Sequence, residues 1–141
     1  MAPAPQVSPA PIAPLGREHA DFGRILELAS GRSISPQQLV ERLARAERVL
    51  VGEQHDNPDH HALQLWLSRE LAKRRPQGSV LMEMLNPDQQ NKVDQAQTTA
   101  RAGQAINDPF DTLAWQPGWG WSLYGPLVLH QLRQPYPLLA A

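Results

Sequence analysis

Residues 49–61 read "VLVGEQHDNPDHH" and hold one glutamate, two aspartates and three of the chain's five histidines. A neutral imidazole beside one or two carboxylates can bind a divalent metal. It can also act as a general base that its carboxylate keeps in one tautomer. The same groups can instead hydrogen-bond the polar substituents of a ligand. Glu53 and His55 follow directly on Val49, Leu50, Val51 and the terminating Gly52. A charge placed right behind a buried strand needs a compensating partner, so this pair leads the candidates. His60 and His61 fall in the first turn of the next helix, where the dipole disfavours imidazolium and leaves neutral imidazole available. Adjacent residues cannot share a helix face, so one of the two points to solvent or merely packs. Asp56 or Asn57 reads as a cap, and Asp59 as a first-turn carboxylate favoured by the dipole. Glu83, inside a second apolar run, pairs with His55 or with backbone, or belongs to the site. Catalysis would draw on Glu53, His55 and Glu83, and a metal on His55, Glu53, His60 and His61. The spacing is not the H-E-x-x-H of zinc peptidases.

These residues need elements to hold them. "SPQQ" at Ser35 offers an N-cap serine, a proline at the first helical position and a glutamine three residues after the cap. The helix that follows carries Leu39, Val40, Leu43 and Ala44 on one face and is expected to end near Arg48. "VLVG" then reads as a strand buried on both faces. "NPD" at Asn57 opens a second helix, with Leu63, Trp66, Leu67 and Leu71 on its buried stripe. Residues 79–85, "SVLMEML", read as a second buried strand, and a second "NPD" at Asn86 starts a polar helix reaching about Ala102, expected on the surface or against a partner. A further helix is expected from about Leu123 to Arg133, and "YPLLAA" begins a third apolar strand. Ahead of these, "DFGRILELASGRSIS" suggests two short strands around a turn at Ser30 and Gly31. The fold class is therefore α/β, a mainly parallel sheet flanked by helices with an N-terminal short hairpin. In such sheets the functional crevice lies outside the carboxyl ends of the strands, which would gather Glu53, His55 and Glu83 on one rim. Because the last residues form an apolar strand-like run, the sequence reads as the N-terminal portion of a larger domain, or as a sheet completed by a partner.

Composition narrows the partners. The 141 residues suit one moderate core, and a net charge of −1 with 19% charged residues gives no basic field for nucleic acid. The absence of cysteine excludes disulfides, thiolate metal sites and thiol nucleophiles within this sequence. No apolar run approaches the roughly 20 residues that span a bilayer. Residues 1–20 read as a Pro/Ala-rich flexible tail, with five of the 14 prolines in its first 14 residues, and residues 21–141 as one α/β domain.

"VLVGEQHDNPDHHALQLWLSREL", "VLMEML" and "LAWQPGWGWSLYGPLV" together resemble the ChaN-like haem-binding uptake lipoproteins of bacteria. That family lies in a superfamily with the Tiki and TraB proteins and erythromycin-esterase-like enzymes. The resemblance covers about residues 23–141, and its members are longer than this chain. It implies an α/β fold, haem as ligand, and a role in iron or haem acquisition at the cell envelope, in the periplasm or at the outer membrane. Membrane attachment would come only through a lipid anchor that this sequence does not contain. A haem site needs an apolar slot, aromatic walls and an axial ligand. Without cysteine the axial candidates are tyrosine and histidine. Tyr124, beside Trp115, Trp119 and Trp121, is favoured, with His130 second; Tyr136 is the other tyrosine. The same tryptophans could instead close a core, with Gly118 and Gly120 allowing tight turns. Two readings stay open. One is a haem-binding protein without catalysis of its own, expected as a homodimer enclosing the ligand. The other is a hydrolase in which His55 is general base and Glu53 and Glu83 orient it or hold a metal. A scaffold with neither activity is the third.

Overall fold

The computed structural model describes residues 9–141, and the chain divides into two compact units, Met1–Arg75 and Pro76–Ala141. In the first, strands β1 (Ile25–Glu27) and β2 (Arg32–Ile34) pair antiparallel, with Ile25 opposite Ile34. The turn between them needs the left-handed backbone of Gly31, at φ 68°. Ser30 donates to the Glu27 carboxylate across that turn, and Arg42 pairs with the same group. Helix α1 (Pro36–Ala44) starts with the expected reciprocal cap. Ser35 Oγ accepts from the Gln38 amide at 3.1 Å, and Gln38 Oε1 accepts from the Ser35 amide at 2.9 Å. It ends at Ala44, a turn earlier than the apolar pattern suggested.

The expected strand at residues 49–51 does not form. These residues carry no regular structure, they pair with no strand among the described residues, and Leu50 is 93% exposed. A β-segment exists only through the hydrogen bonds of a neighbour, and "VLV" supplies the side chains of a strand without the partner. Helix α2 (Pro58–Ala72) begins as read, with Asn57 Oδ1 accepting from the Asp59 amide at 2.9 Å. Its buried residues differ from the expected stripe: His61, Glu70 and Leu71 are buried, while Leu63 is exposed and Trp66 and Leu67 are half-buried. The Asp59 carboxylate also accepts the backbone amides of Ile12 and Ala13, and Arg17 donates to the carbonyls of Pro11 and Ala13. The expected tail is thus tied at residues 11–17 to the start of α2; residues 1–8 lie outside the described part.

In the second unit, β3 (Val80–Met82) and β4 (Leu138–Ala140) pair parallel, with Val80 opposite Leu138. Between them run α3 (Gln90–Arg101), the short α4 (Pro109–Thr112) and α5 (Trp121–Leu132). The strand–helix–strand order read from the sequence is observed here, as a parallel pair needs a long crossover. β3 is buried on one side only: Met82 is covered, whereas Leu81 is 61% exposed. α3, expected on the surface or against a partner, packs within its own unit against β4 and α5 and buries Val93, Ala96 and Gln97. Its preceding turn is fastened by Gln89, whose Nε2 donates to the carbonyls of Leu113 and Ala114 at 3.0 and 2.9 Å. That clamp holds Ala114 in the left-handed region, φ 49°, and so aims Trp115 inward.

Within α2 the Glu70 side chain is buried and meets Lys73 Nζ at 2.7 Å and Arg74 Nη1 at 3.1 Å. The Lys73 hydrogen bond first, and Arg74 after it, hold its carboxyl below the ordinary 4.5 despite the opposing effect of desolvation. A folded-state value below the unfolded one contributes stability above the unfolded value and loses it as pH falls through the folded one. Urea unfolding of the wild type should therefore lose stability as pH falls below about 4.5. Glu70→Gln should be less stable near neutrality and show a flatter profile in that acid window. Equal acid slopes in both proteins would refute this linkage.

Candidate functional site

Glu53 is the centre of the loop that precedes α2. Its side chain is 5% exposed, against 54% for His55. Oε1 lies 3.0 Å from His55 Nδ1, so the imidazole donates there, and in a neutral ring the lone pair would fall on Nε2. Oε2 receives the Gln64 side-chain amide and lies 3.5 Å from His61 Nδ1. His61 is itself buried, and its Nε2 donates to the His55 carbonyl at 2.8 Å. His61 and Gln64 are three apart on α2 and face the same way, which is why one carboxylate reaches both. His60 turns elsewhere: its Nδ1 accepts the Gln54 amide at 2.8 Å and fastens the loop. The residues expected to crowd together do so in part. Glu53, His55 and His61 meet, His60 works as a brace, and Gln64 is the member that the sequence reading missed. Its signal was its position one helical turn beyond His61.

This arrangement can orient an imidazole and gives a buried carboxylate hydrogen-bonding partners on both oxygens. Among the described residues, no group of three or more His, Asp or Glu side chains is arranged to hold a metal ion. The divalent metal entertained for His55, Glu53, His60 and His61 finds no support in that geometry. Glu83 belongs to the second unit and is exposed. Its expected gathering with Glu53 and His55 at adjacent strand ends loses its premise, since residues 49–51 form no strand.

The second unit holds the aromatic block. Trp115 and Trp121 meet edge to face with centroids 5.2 Å apart, and Tyr124 lies 6.0 Å from Trp115 and 5.8 Å from Trp119. Trp115 Nε1 donates to the Trp119 carbonyl at 2.6 Å. Tyr124 is 1% exposed and Trp115 is also buried, whereas Trp119, Trp121 and His130 are half-buried. The glycine that matters is Gly125, not Gly118 or Gly120. A Cβ on Gly125 would come 2.9 Å from the Trp121 ring, while Gly118 has open space and Gly120 only an ordinary contact. Tyr136 is buried, donates its hydroxyl to Gln131 Oε1 at 2.7 Å, and is pushed above its usual pKa by burial. Among the described residues no helix is long and apolar enough to cross a membrane.

The parallel β3–β4 pair with its flanking helices makes this an α/β protein, and it carries a carboxylate-braced histidine loop. The chain belongs to the ChaN family of haem-binding uptake proteins in the Tiki superfamily, whose match spans residues 39–141. It is also similar to the solved structure described as cofacial heme binding to ChaN of Campylobacter jejuni, with a TM-score of 0.71 and 26% identity. That likeness covers 84% of this chain and 48% of the other, so the chain spans about half of the relative's length. No curated protein sequence is a significant match. The hydrolase alternative gains nothing from these likenesses.

Replacing Glu53 by glutamine turns one accepting oxygen into a donor and faces it with the donors already there. A buried donor left without a partner costs about 1–3 kcal/mol. Glu53→Gln should lower the urea midpoint accordingly and speed amide exchange across residues 53–61. An unchanged midpoint would show that the carboxylate does not organise the loop.

Proposed function

We propose that this chain binds haem and serves haem or iron uptake in the bacterial cell envelope, with His55 as the axial donor to iron. The observation that carries the assignment is the pairing of an exposed imidazole with a buried carboxylate. A metal-ligating histidine characteristically donates its second ring nitrogen to such a group, which fixes the tautomer and raises the basicity of the ligating nitrogen. Family membership and the likeness to a haem-binding relative support the ligand class.

The tyrosines fit the role less well. Tyr136 is engaged by Gln131, and burial disfavours its tyrosinate. Tyr124 lies inside the aromatic cluster, where reaching a macrocycle would require uncovering α5. Bound haem would supply the iron, and His55 would hold it. The chain's own part is to hold one imidazole rigid, through Glu53, Gln64 and His61. A homodimer enclosing its ligand and a lipid-anchored location belong to the same proposal.

Hemin titration tests it. The wild type should give a saturable Soret shift that His55→Ala abolishes and Tyr124→Phe leaves intact, and Glu53→Gln should weaken binding by about 10–100-fold. No shift in the wild type overturns haem binding by this chain. Loss in Tyr124→Phe with retention in His55→Ala moves the ligand to the aromatic cluster. Sedimentation of the hemin complex reads the dimer directly.

A further inference from the structure

We infer that α3 stands in for a parallel β-strand along the outer edge of β4 and so closes that edge to any added strand. β3 occupies one side of β4, beginning with the Val80 amide on the Pro137 carbonyl at 3.0 Å. The groups that point the other way are the carbonyl of Tyr136, just ahead of β4, the amide and carbonyl of Leu138, and the amide and carbonyl of Ala140. Side chains of α3 take the first four of these. Gln97 Nε2 donates to the Tyr136 carbonyl at 3.1 Å, and Gln97 Oε1 accepts from the Leu138 amide at 3.0 Å. Gln90 Nε2 donates to the Leu138 carbonyl at 3.0 Å, and its Oε1 accepts from the Ala140 amide at 2.7 Å.

The pattern is that of a strand. In a parallel ladder, one residue of the neighbour donates to the carbonyl of residue j and accepts from the amide of residue j+2. A primary amide side chain carries the same donor and acceptor as a backbone residue. Gln97 reproduces the residue opposite 136 and 138, and Gln90 the next one, opposite 138 and 140. The two lie seven residues apart, two turns on one helix face and about 10.5 Å along it. The two slots they fill are about 6.6 Å apart on the strand. Flexible glutamine side chains close that mismatch, which a shorter asparagine could not. Arg101 completes the row, donating through Nη2 to the Tyr136 carbonyl at 2.9 Å and through Nε to the Gln134 carbonyl at 2.8 Å. Gln90 is steadied by Asp94 Oδ1 at 2.9 Å. An apolar helix on this edge would leave the row unmet, and an unmet row is a template for another chain.

The test is self-association of the full chain. Gln90→Ala/Gln97→Ala should form concentration-dependent oligomers by sedimentation, and the Leu138 and Ala140 amides should exchange about ten-fold faster while they are monomeric. Val93→Ala removes packing from the same helix and leaves both amides in place; it should lower stability without association. Gln90→Ala alone, at the half-buried start of α3, gives a milder variant that should show the faster Ala140 exchange. Adding Ala140→Pro to the double variant deletes one edge donor and should suppress the oligomers. A double variant that stays monomeric with both amides protected overturns the inference. So does association that Val93→Ala matches or that Ala140→Pro does not reduce.

Discussion

Buried hydrogen-bonding groups must be met by partners of the opposite sense, and here glutamine side chains do much of that work. The strands are three residues long, so backbone pairing leaves many edge groups unpaired. Gln89 fastens the turn at Ala114, Gln90 and Gln97 line the edge of β4, and Gln64 braces Glu53. Each is an amide with one donor end and one acceptor end, able to bridge groups that a hydroxyl or a carboxylate could not satisfy alone. Removing such a partner costs more than the bond contributes, because the desolvated group is left behind. The elements around the site are therefore held by directed contacts as much as by apolar burial.

The two units use different chemistry. In the first, many large apolar side chains stay in water, among them Leu15, Leu28 and Leu50, and the ordered features are electrostatic: Glu53 with its histidines, and Glu70 with Lys73 and Arg74. In the second, Leu85, Val93, Leu113, Tyr124, Val128, Leu132 and Leu138 form a fully buried core around the parallel pair. The tryptophan block is part of that core on its Trp115 side. On its other side Trp121 lies over Gly125, a contact that only glycine permits. An oriented imidazole is thus carried by a loop built from hydrogen bonds, and the aromatic residues by a packed helix.

The sequence alone determined the signals that are local in the chain. Ser35, Pro36 and Gln38 dictate a helix start, Asn57 and Pro58 another, and Ser30 with Gly31 a hairpin turn, because caps and turns are satisfied within a few residues. The strand–helix–strand order of residues 80–140 and the pairing of Glu53 with His55 were legible for the same reason: period and adjacency encode them. Tertiary structure decided what depends on a distant partner. The apolar run at residues 49–51 has the composition of a strand, but a strand needs a neighbour, and composition cannot supply one. Whether a glutamine on α3 faces water or the edge of β4 depends on groups tens of residues away, and whether His60 or His61 turns toward Glu53 depends on how the loop between them folds back. Hydrogen bonds of that kind are chosen by where the chain folds back, and so only the folded chain reveals them.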